Sequence, residues 1–182
     1  MHLISMQSNV LPNILHTECA EYRYKVFCEK LGWELDTFDS HSGLELDQFD
    51  RPDTVYVIAK NEFDEICGHA RLLPTVKPYL IGEVFPELMN GAPIPSCETV
   101  WELSRFAAVD TSGRGLSFDP KVSKYLLDEA ANYVRQRGAT RLLSASPLGV
   151  ERLVHRAGYK AYRAGPPVMV DEKPVIACWI EL

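Results

Sequence analysis

Thr54-Val55-Tyr56-Val57-Ile58-Ala59 is followed by polar Asn61–Glu65 and then by Ile66-Cys67-Gly68-His69-Ala70-Arg71-Leu72-Leu73-Pro74. Two β-rich runs on either side of a short polar turn read as a hairpin, and this hairpin decides the fold. Upstream, Asn13–Leu31 reads as a helix: Leu15, Cys19, Tyr22 and Val26 fall four, three and four residues apart on one stripe, and Gly32 ends it. Gly32–Arg51 is a long excursion loop, a length that in compact domains usually serves function. Downstream, Tyr79–Leu88 holds a short helix, Pro93–Cys97 is loop, and Thr99–Val109 is a third strong strand. Gly113 and Gly115 open a loop. Val122–Arg137 is a helix with Val122, Leu126, Ala130 and Val134 spaced by four, capped by Gly138. Arg141–Ser146 is a strand, Leu148–Ala157 a helix stopped by Gly158, and Val175–Leu182 a closing strand. Strands first, and then helices between strands, predict an α/β (α+β) fold with a mixed, mostly antiparallel central sheet flanked by helices.

The chain has 182 residues, one domain's worth, and we expect a single domain over 1–182. Apolar residues make up 46% and charged residues 24%, which excludes a disordered chain. No apolar run approaches the ~18 residues of a membrane span, and the first residues lack the pattern of a signal peptide. Five cysteines, Cys19, Cys28, Cys67, Cys97 and Cys178, are scattered without CxxC or zinc spacing, so the expectation is reduced thiols, no metal site and a cytoplasmic location. Charge is uneven: residues 1–113 carry 8 Lys/Arg and 18 Asp/Glu, whereas residues 114–163 carry 10 and 4. Such an acidic front and basic back point to different electrostatic tasks, the basic part facing nucleic acid, a phosphorylated cofactor, an acidic protein or only solvent.

Four clusters carry candidate chemistry. Arg23 and Phe27 lie four apart on the first helix and share a face, with Trp33 just past its end. Glu45-Leu46-Asp47-Gln48-Phe49-Asp50 holds three carboxylates within six residues, enough for a cation, a positively charged substrate or merely a solvated acidic loop. Arg71 sits in an otherwise apolar strand, where it needs a partner, and Asp47 and Asp50 supply one. Trp101-Glu102-Leu103-Ser104-Arg105-Phe106 puts two opposite charges into a strand that otherwise reads as core, which calls for a site or a buried pair. Hydrolase, Walker and G-x-G-x-x-G patterns are absent. Asp110–Gly115, between a strand and a helix, is a weak candidate for holding phosphate on backbone N–H groups.

Taken in order, these segments resemble an acyl-homoserine-lactone synthase of the LuxI type. The matching pieces are Tyr22–Phe27, Leu31-Gly32-Trp33-Glu34-Leu35, Glu45–Asp50, Ala70-Arg71-Leu72-Leu73-Pro74-Thr75, Trp101–Phe106 and Ser146–Leu153, spanning nearly the whole chain. The resemblance implies a fold related to the GCN5-type N-acetyltransferases. It implies an acyltransferase that uses no cofactor and takes S-adenosylmethionine plus an acyl thioester, on acyl carrier protein or sometimes coenzyme A. Amide formation and then lactonisation release methylthioadenosine and an N-acyl-homoserine lactone signal. By resemblance Arg23, Phe27 and Trp33 line the S-adenosylmethionine pocket, and Asp47, Asp50 and Arg71 order the loop over it. Glu102 is the candidate to take the ammonium proton, directly or through water, and Arg105 to hold an anionic or carbonyl group. Ser104, Ser144, Ser146 and Leu148 lie where the acyl chain runs. The basic stretch, Arg135, Arg137, Arg141, Arg152, Arg156, Lys160 and Arg163, then suits an acidic carrier protein rather than nucleic acid or membrane, with Arg152, Arg156 and Lys160 as the docking residues.

In a regular strand, residues three apart point to opposite faces, so Glu102 and Arg105 reach one side only if the strand bulges. Two other readings compete: an acetyl-CoA-dependent N-acetyltransferase of the same fold, and a silent thioester- or carrier-protein-binding module. Asp110, standing where the acetyltransferase pyrophosphate loop begins, opposes the first, since a carboxylate repels phosphate. The intact set of Arg23, Phe27, Trp33, Asp47, Asp50, Arg71, Glu102 and Arg105 opposes the second.

Overall fold

A computed structural model describes residues 1–33, 42–111 and 117–182. The chain divides into two compact units: Met1–Arg71 with Arg105–Glu129, and Leu72–Ser104 with Ala130–Leu182.

The first unit is built on the hairpin. Strand β2 (Val55–Lys60) and strand β3 (Ile66–Pro74) flank a turn closed by the Asn61 N–H on the Glu65 carbonyl at 2.9 Å. An N-terminal strand β1 (His2–Gln7), which the sequence reading did not anticipate, pairs antiparallel with β2 from His2↔Lys60 to Gln7↔Val55. It is only half buried and carries no clean apolar–polar alternation, so its signal is weak. Helix α1 (Asn13–Arg23) follows the expected stripe, but Tyr24–Lys30 continue it as a π-helix, with Leu31 N–H reaching back to Val26 O at 3.1 Å. Such widened turns recur at functional sites. Gly32 adopts φ +61° after it, a conformation that glycine takes without steric cost. Of the excursion loop, residues 34–41 lie outside the described residues, as do 112–115 of the candidate phosphate loop and residue 116 after it.

Period-two alternation sorts β3 into two faces. Cys67, His69 and Arg71 share one. Gly68, Ala70 and Leu72 share the other, where a Cβ on Gly68 would stand 3.0 Å from Val122 Cγ1 and 3.2 Å from Ala59 Cβ. Gly68 is thus the point at which helix α3 (Pro120–Arg135) presses on the strand. Asp119 caps that helix, its Oδ1 accepting the Lys121 and Val122 N–H groups at 2.7 and 3.2 Å. A separate apolar cluster joins Leu11, Cys19, Tyr22, Val26 and Phe27 to Tyr56, Ile58, Ile66, Ala107 and Val109.

In the second unit, strand β7 (Arg141–Pro147) pairs antiparallel along its whole length with strand β10 (Lys173–Glu181). Strand β4 (Val100–Ala107) pairs parallel with β7, but only from Val100↔Arg141 to Glu102↔Leu143. Beyond that the pairing stops, leaving Leu103–Ser104 and Ser144–Pro147 without each other as ladder partners. Helix α2 (Leu80–Glu83) and helix α4 (Gly149–Arg156) lie within the expected segments. Back in the first unit, past β4, the chain forms the two-residue strands β5 (Val109–Asp110) and β6 (Ser117–Phe118), while in the second unit two further short strands follow α4. β8 (Ala161–Arg163) and β9 (Val168–Val170) both pair with β10. The last four were not anticipated, being shorter than any window in which periodicity is readable.

Gly68→Ala should destabilise the protein by about 1–3 kcal/mol, because the added methyl meets Val122 and Ala59 with no room to move. Chemical denaturation checks this, and Gly68→Ala/Val122→Ala should recover part of the loss.

Candidate functional site

In the first unit, three guanidinium groups meet three carboxylates out of solvent. Arg23 comes from the end of α1. Its Nε donates to Glu45, and its Nη1 and Nη2 donate to Asp50 at 2.7 and 3.0 Å. Arg71, from β3, is bidentate on Asp47 at 2.6 and 3.0 Å and reaches Asp50 at 3.1 Å. Arg105, from β4, grips Glu45 through Nε and Nη2 at 2.9–3.1 Å and Asp47 through Nη2 at 2.9 Å. The six side chains expose between 0% and 7% of their surface. Charges balance three against three, which makes such burial tolerable.

Backbone contacts fix the carboxylate segment. Glu45 N–H bonds Ala20 O at 3.0 Å, tying the segment to α1. Asp47 accepts from Phe49 N–H at 2.8 Å, and Asp50 accepts from Asp47 N–H and from the Tyr56 hydroxyl, both at 2.8 Å. Burial alone would raise the Glu45 carboxyl, but Arg23 and Arg105 outweigh it and bring it down to about 2. Arg23 and Arg71 outweigh burial at Asp50 in the same way, holding it well below the usual carboxylate range. Burial likewise opposes charge on Arg23, and Asp50 and Glu45 more than offset it. These depressed carboxyls stabilise the fold fully above pH ~4.5, and that contribution is lost as the pH falls toward their folded values.

Exposure differs among the expected site residues. Arg23 and Arg71 are sealed at 0%, with Asp50 accepting from both, Glu45 from Arg23 and Asp47 from Arg71. Phe27 is buried and stacks on half-buried Trp33 at 4.8 Å between ring centroids. The Arg105 guanidinium lies 5.5 Å over the Trp33 ring and 5.8 Å over Phe27. Every nitrogen of Arg23 is engaged, whereas Nη1 of Arg105 has no hydrogen-bond partner among the described residues.

The sequence reading left Glu45 out of its site residues, although it quoted the segment. Alone among the three carboxylates it has no i+2 or i+3 turn geometry to mark it, and its partner Arg105 lies 60 residues away. It also passed over His69, buried on β3 beside Arg71, whose Nδ1 faces the Arg105 carbonyl at 3.2 Å. Burial and then Arg23 push its imidazole down to about 3.

β4 is irregular where the sequence reading required it to be. Arg105 adopts φ +49°, rare for a non-glycine residue. In the second unit, Glu102 is fully buried, and its two oxygens accept Leu80 N–H at 3.0 Å and Ile81 N–H at 2.8 Å, anchoring the start of α2. Ser104, Ser144 and Ser146 are also buried, the last two hydroxyls 2.7 Å apart, and Leu148 is half buried.

The basic residues of the second unit separate by partner. Arg163 bonds Glu151 at 2.7 Å, and Arg135, Arg137 and Arg141 lie over Tyr159, Tyr133 and Trp179. Arg152, Arg156 and Lys160 are exposed, with no ion pair among the described residues. Among those residues, no group of three or more His, Cys, Asp or Glu could hold a metal, and no helix is long and apolar enough to cross a membrane.

Residues 8–182 match the family model described as autoinducer synthase. The acyl-homoserine-lactone synthase of Acinetobacter nosocomialis is 47% identical over 186 residues, covering 100% of both chains. A crystal structure of TofI in a ternary complex with an inhibitor and MTA superposes with a TM-score of 0.86 and 41% identity, covering 100% of this chain and 91% of TofI. The AHL synthase LasI superposes with a TM-score of 0.85 and 28% identity, covering 99% of this chain and 90% of LasI.

Arg71→Ala would leave Asp47 and Asp50 short of a cation inside the protein. It should cost about 3 kcal/mol or more in a denaturant titration. An unchanged midpoint would contradict the buried lattice.

Proposed function

The chain belongs to the autoinducer synthase family, and on that premise we propose how its residues divide the work of an acyl-homoserine-lactone synthase. The activity is acyl transfer followed by ring closure. The amine of S-adenosylmethionine, once deprotonated, attacks the thioester carbonyl and the thiol departs. The methionine carboxylate then displaces methylthioadenosine, the sulfonium becomes a neutral thioether, and the lactone closes.

The observation that carries the assignment is the one guanidinium nitrogen of Arg105 left over by an otherwise balanced lattice, beside the half-buried face of Trp33. Arg105 Nη1 binds the substrate carboxylate, a charge-assisted bond. Trp33, backed by Phe27, offers its ring to the sulfonium. Arg23, Asp50 and Arg71 do not touch the substrate. They hold Glu45 and Asp47, and through them Arg105. The acidity of Glu45–Asp50 is therefore used inside the protein rather than offered to the substrate cations.

Glu102 serves the amine. Both its oxygens are held by backbone N–H groups, so a bridging water is the better path for the ammonium proton than direct transfer. The acyl chain runs by Ser104, Ser144, Ser146 and Leu148, where β4 and β7 cease to pair. The donor is acyl carrier protein. Arg152 and Arg156, one helical turn apart on α4, and Lys160 are exposed cations that form no ion pair among the described residues, a surface suited to an acidic partner.

Release of methylthioadenosine, followed with acyl carrier protein and with coenzyme A as thioester carriers, tests the assignment. Glu102→Gln should lower turnover at saturating substrates by about 10²-fold or more. It should also cost about 1–3 kcal/mol of stability, because its amide NH2 then faces a backbone N–H. Near-normal turnover would remove Glu102 from the mechanism. Arg152→Glu/Arg156→Glu should raise KM for the carrier-bound acyl group and leave KM for S-adenosylmethionine unchanged. The wild-type rate should fall with salt, since exposed charges are screened over ~10 Å at 0.1 M. Preference for the coenzyme A donor would contradict carrier docking.

A further inference from the structure

We propose that His69 is a positioning residue for the S-adenosylmethionine site, acting through the backbone of Arg105. It rests on the reading that Arg105 meets the substrate. The imidazole is fully buried, and its Nδ1 lies 3.2 Å from the Arg105 carbonyl. A carbonyl only accepts, so Nδ1 carries the proton and Nε2 is bare. Nε2 has no hydrogen-bond partner among the described residues. With Arg71 two residues along the same strand face and Arg23 among the groups that depress its pKa, the ring stays neutral. The Nδ1–H is therefore its one polar contact, and it falls on the residue whose backbone is left-handed at φ +49°. That conformation is strained for arginine and persists only where the surroundings hold it. It decides which way the Arg105 side chain leaves β4, and so whether its guanidinium reaches Glu45, Asp47 and the Trp33 ring. The chain of command runs from His69 to the Arg105 carbonyl, to the turn at Arg105, to its guanidinium.

The two imidazole nitrogens can be mimicked separately. In His69→Asn the amide can stand where Nδ1 stood and still donate to the carbonyl. In His69→Gln it stands where Nε2 stood and cannot. Calorimetric affinity for S-adenosylmethionine, which needs no acyl donor, should fall by roughly 10-fold or more in the Gln variant and in His69→Leu, and by under about 3-fold in Asn, because small misplacements of a binding group are costly. A purely structural role would instead lower affinity and melting temperature together, without distinguishing Asn from Gln. Equal affinities for Asn and Gln, or a Gln variant that binds like wild type, overturn the proposal. Should Gln and Leu fail to fold, the nitrogen NMR of wild-type His69 decides: protonated Nδ1 with bare Nε2 supports the proposal, and the opposite tautomer overturns it. A wild-type protein that does not bind S-adenosylmethionine at all would instead refute the site assignment on which the proposal stands.

Discussion

Three arginines and three carboxylates, held away from water with their charges in balance, are the constraint on which the first unit depends. Each ion would be costly to bury alone. Together they draw the end of α1, the 45–50 segment, β3 and β4 to one place, since none of the six can leave without stranding another. The lattice orders a segment that has no regular secondary structure, using ion pairs where a helix or strand would use its own ladder. After the carboxylates are matched, Nη1 of Arg105 has no hydrogen-bond partner among the described residues.

The backbone around the lattice departs from regularity at several points. The π-helical turn after Arg23 carries Phe27 into the core and onto Trp33. Arg105 turns left-handed within β4. In the second unit β4 leaves β7 after three paired residues, which frees the hydroxyl-bearing stretch of β7 from a ladder partner on that side. On the face of β3 opposite Arg71, Gly68 lets α3 approach closely. Close packing on one face gives a rigid base for a polar cluster on the other.

The hairpin at 54–74, helix α1 and helix α3 were legible because each is long and periodic, and β3 was found with its observed limits. The Arg71 pairing with Asp47 and Asp50 was also legible, from the rule that a buried arginine needs carboxylates. Glu45 and His69 were not. Glu45 is matched by Arg23, 22 residues back on α1, and by Arg105, 60 residues on in β4, and His69 faces a carbonyl 36 residues away; nothing local marks either residue. The irregularity of β4 could be inferred only as a requirement, from two charges three residues apart in one strand. Strands β5, β6, β8 and β9 are two or three residues long, too short for a readable period; β8 and β9 are paired by the longer β10, and β5 and β6 pair with each other.

If the lattice works as a unit to present Arg105, then buried Glu45 matters to substrate binding without touching substrate. A double-mutant cycle on affinity for S-adenosylmethionine, using Glu45→Gln, Arg105→Met and both together, addresses this most directly. The account predicts that Glu45→Gln alone weakens binding about 10-fold or more and that the double variant binds no worse than Arg105→Met, a coupling of about 1.4 kcal/mol or larger. Additive losses, or a Glu45→Gln variant with wild-type affinity, would contradict it.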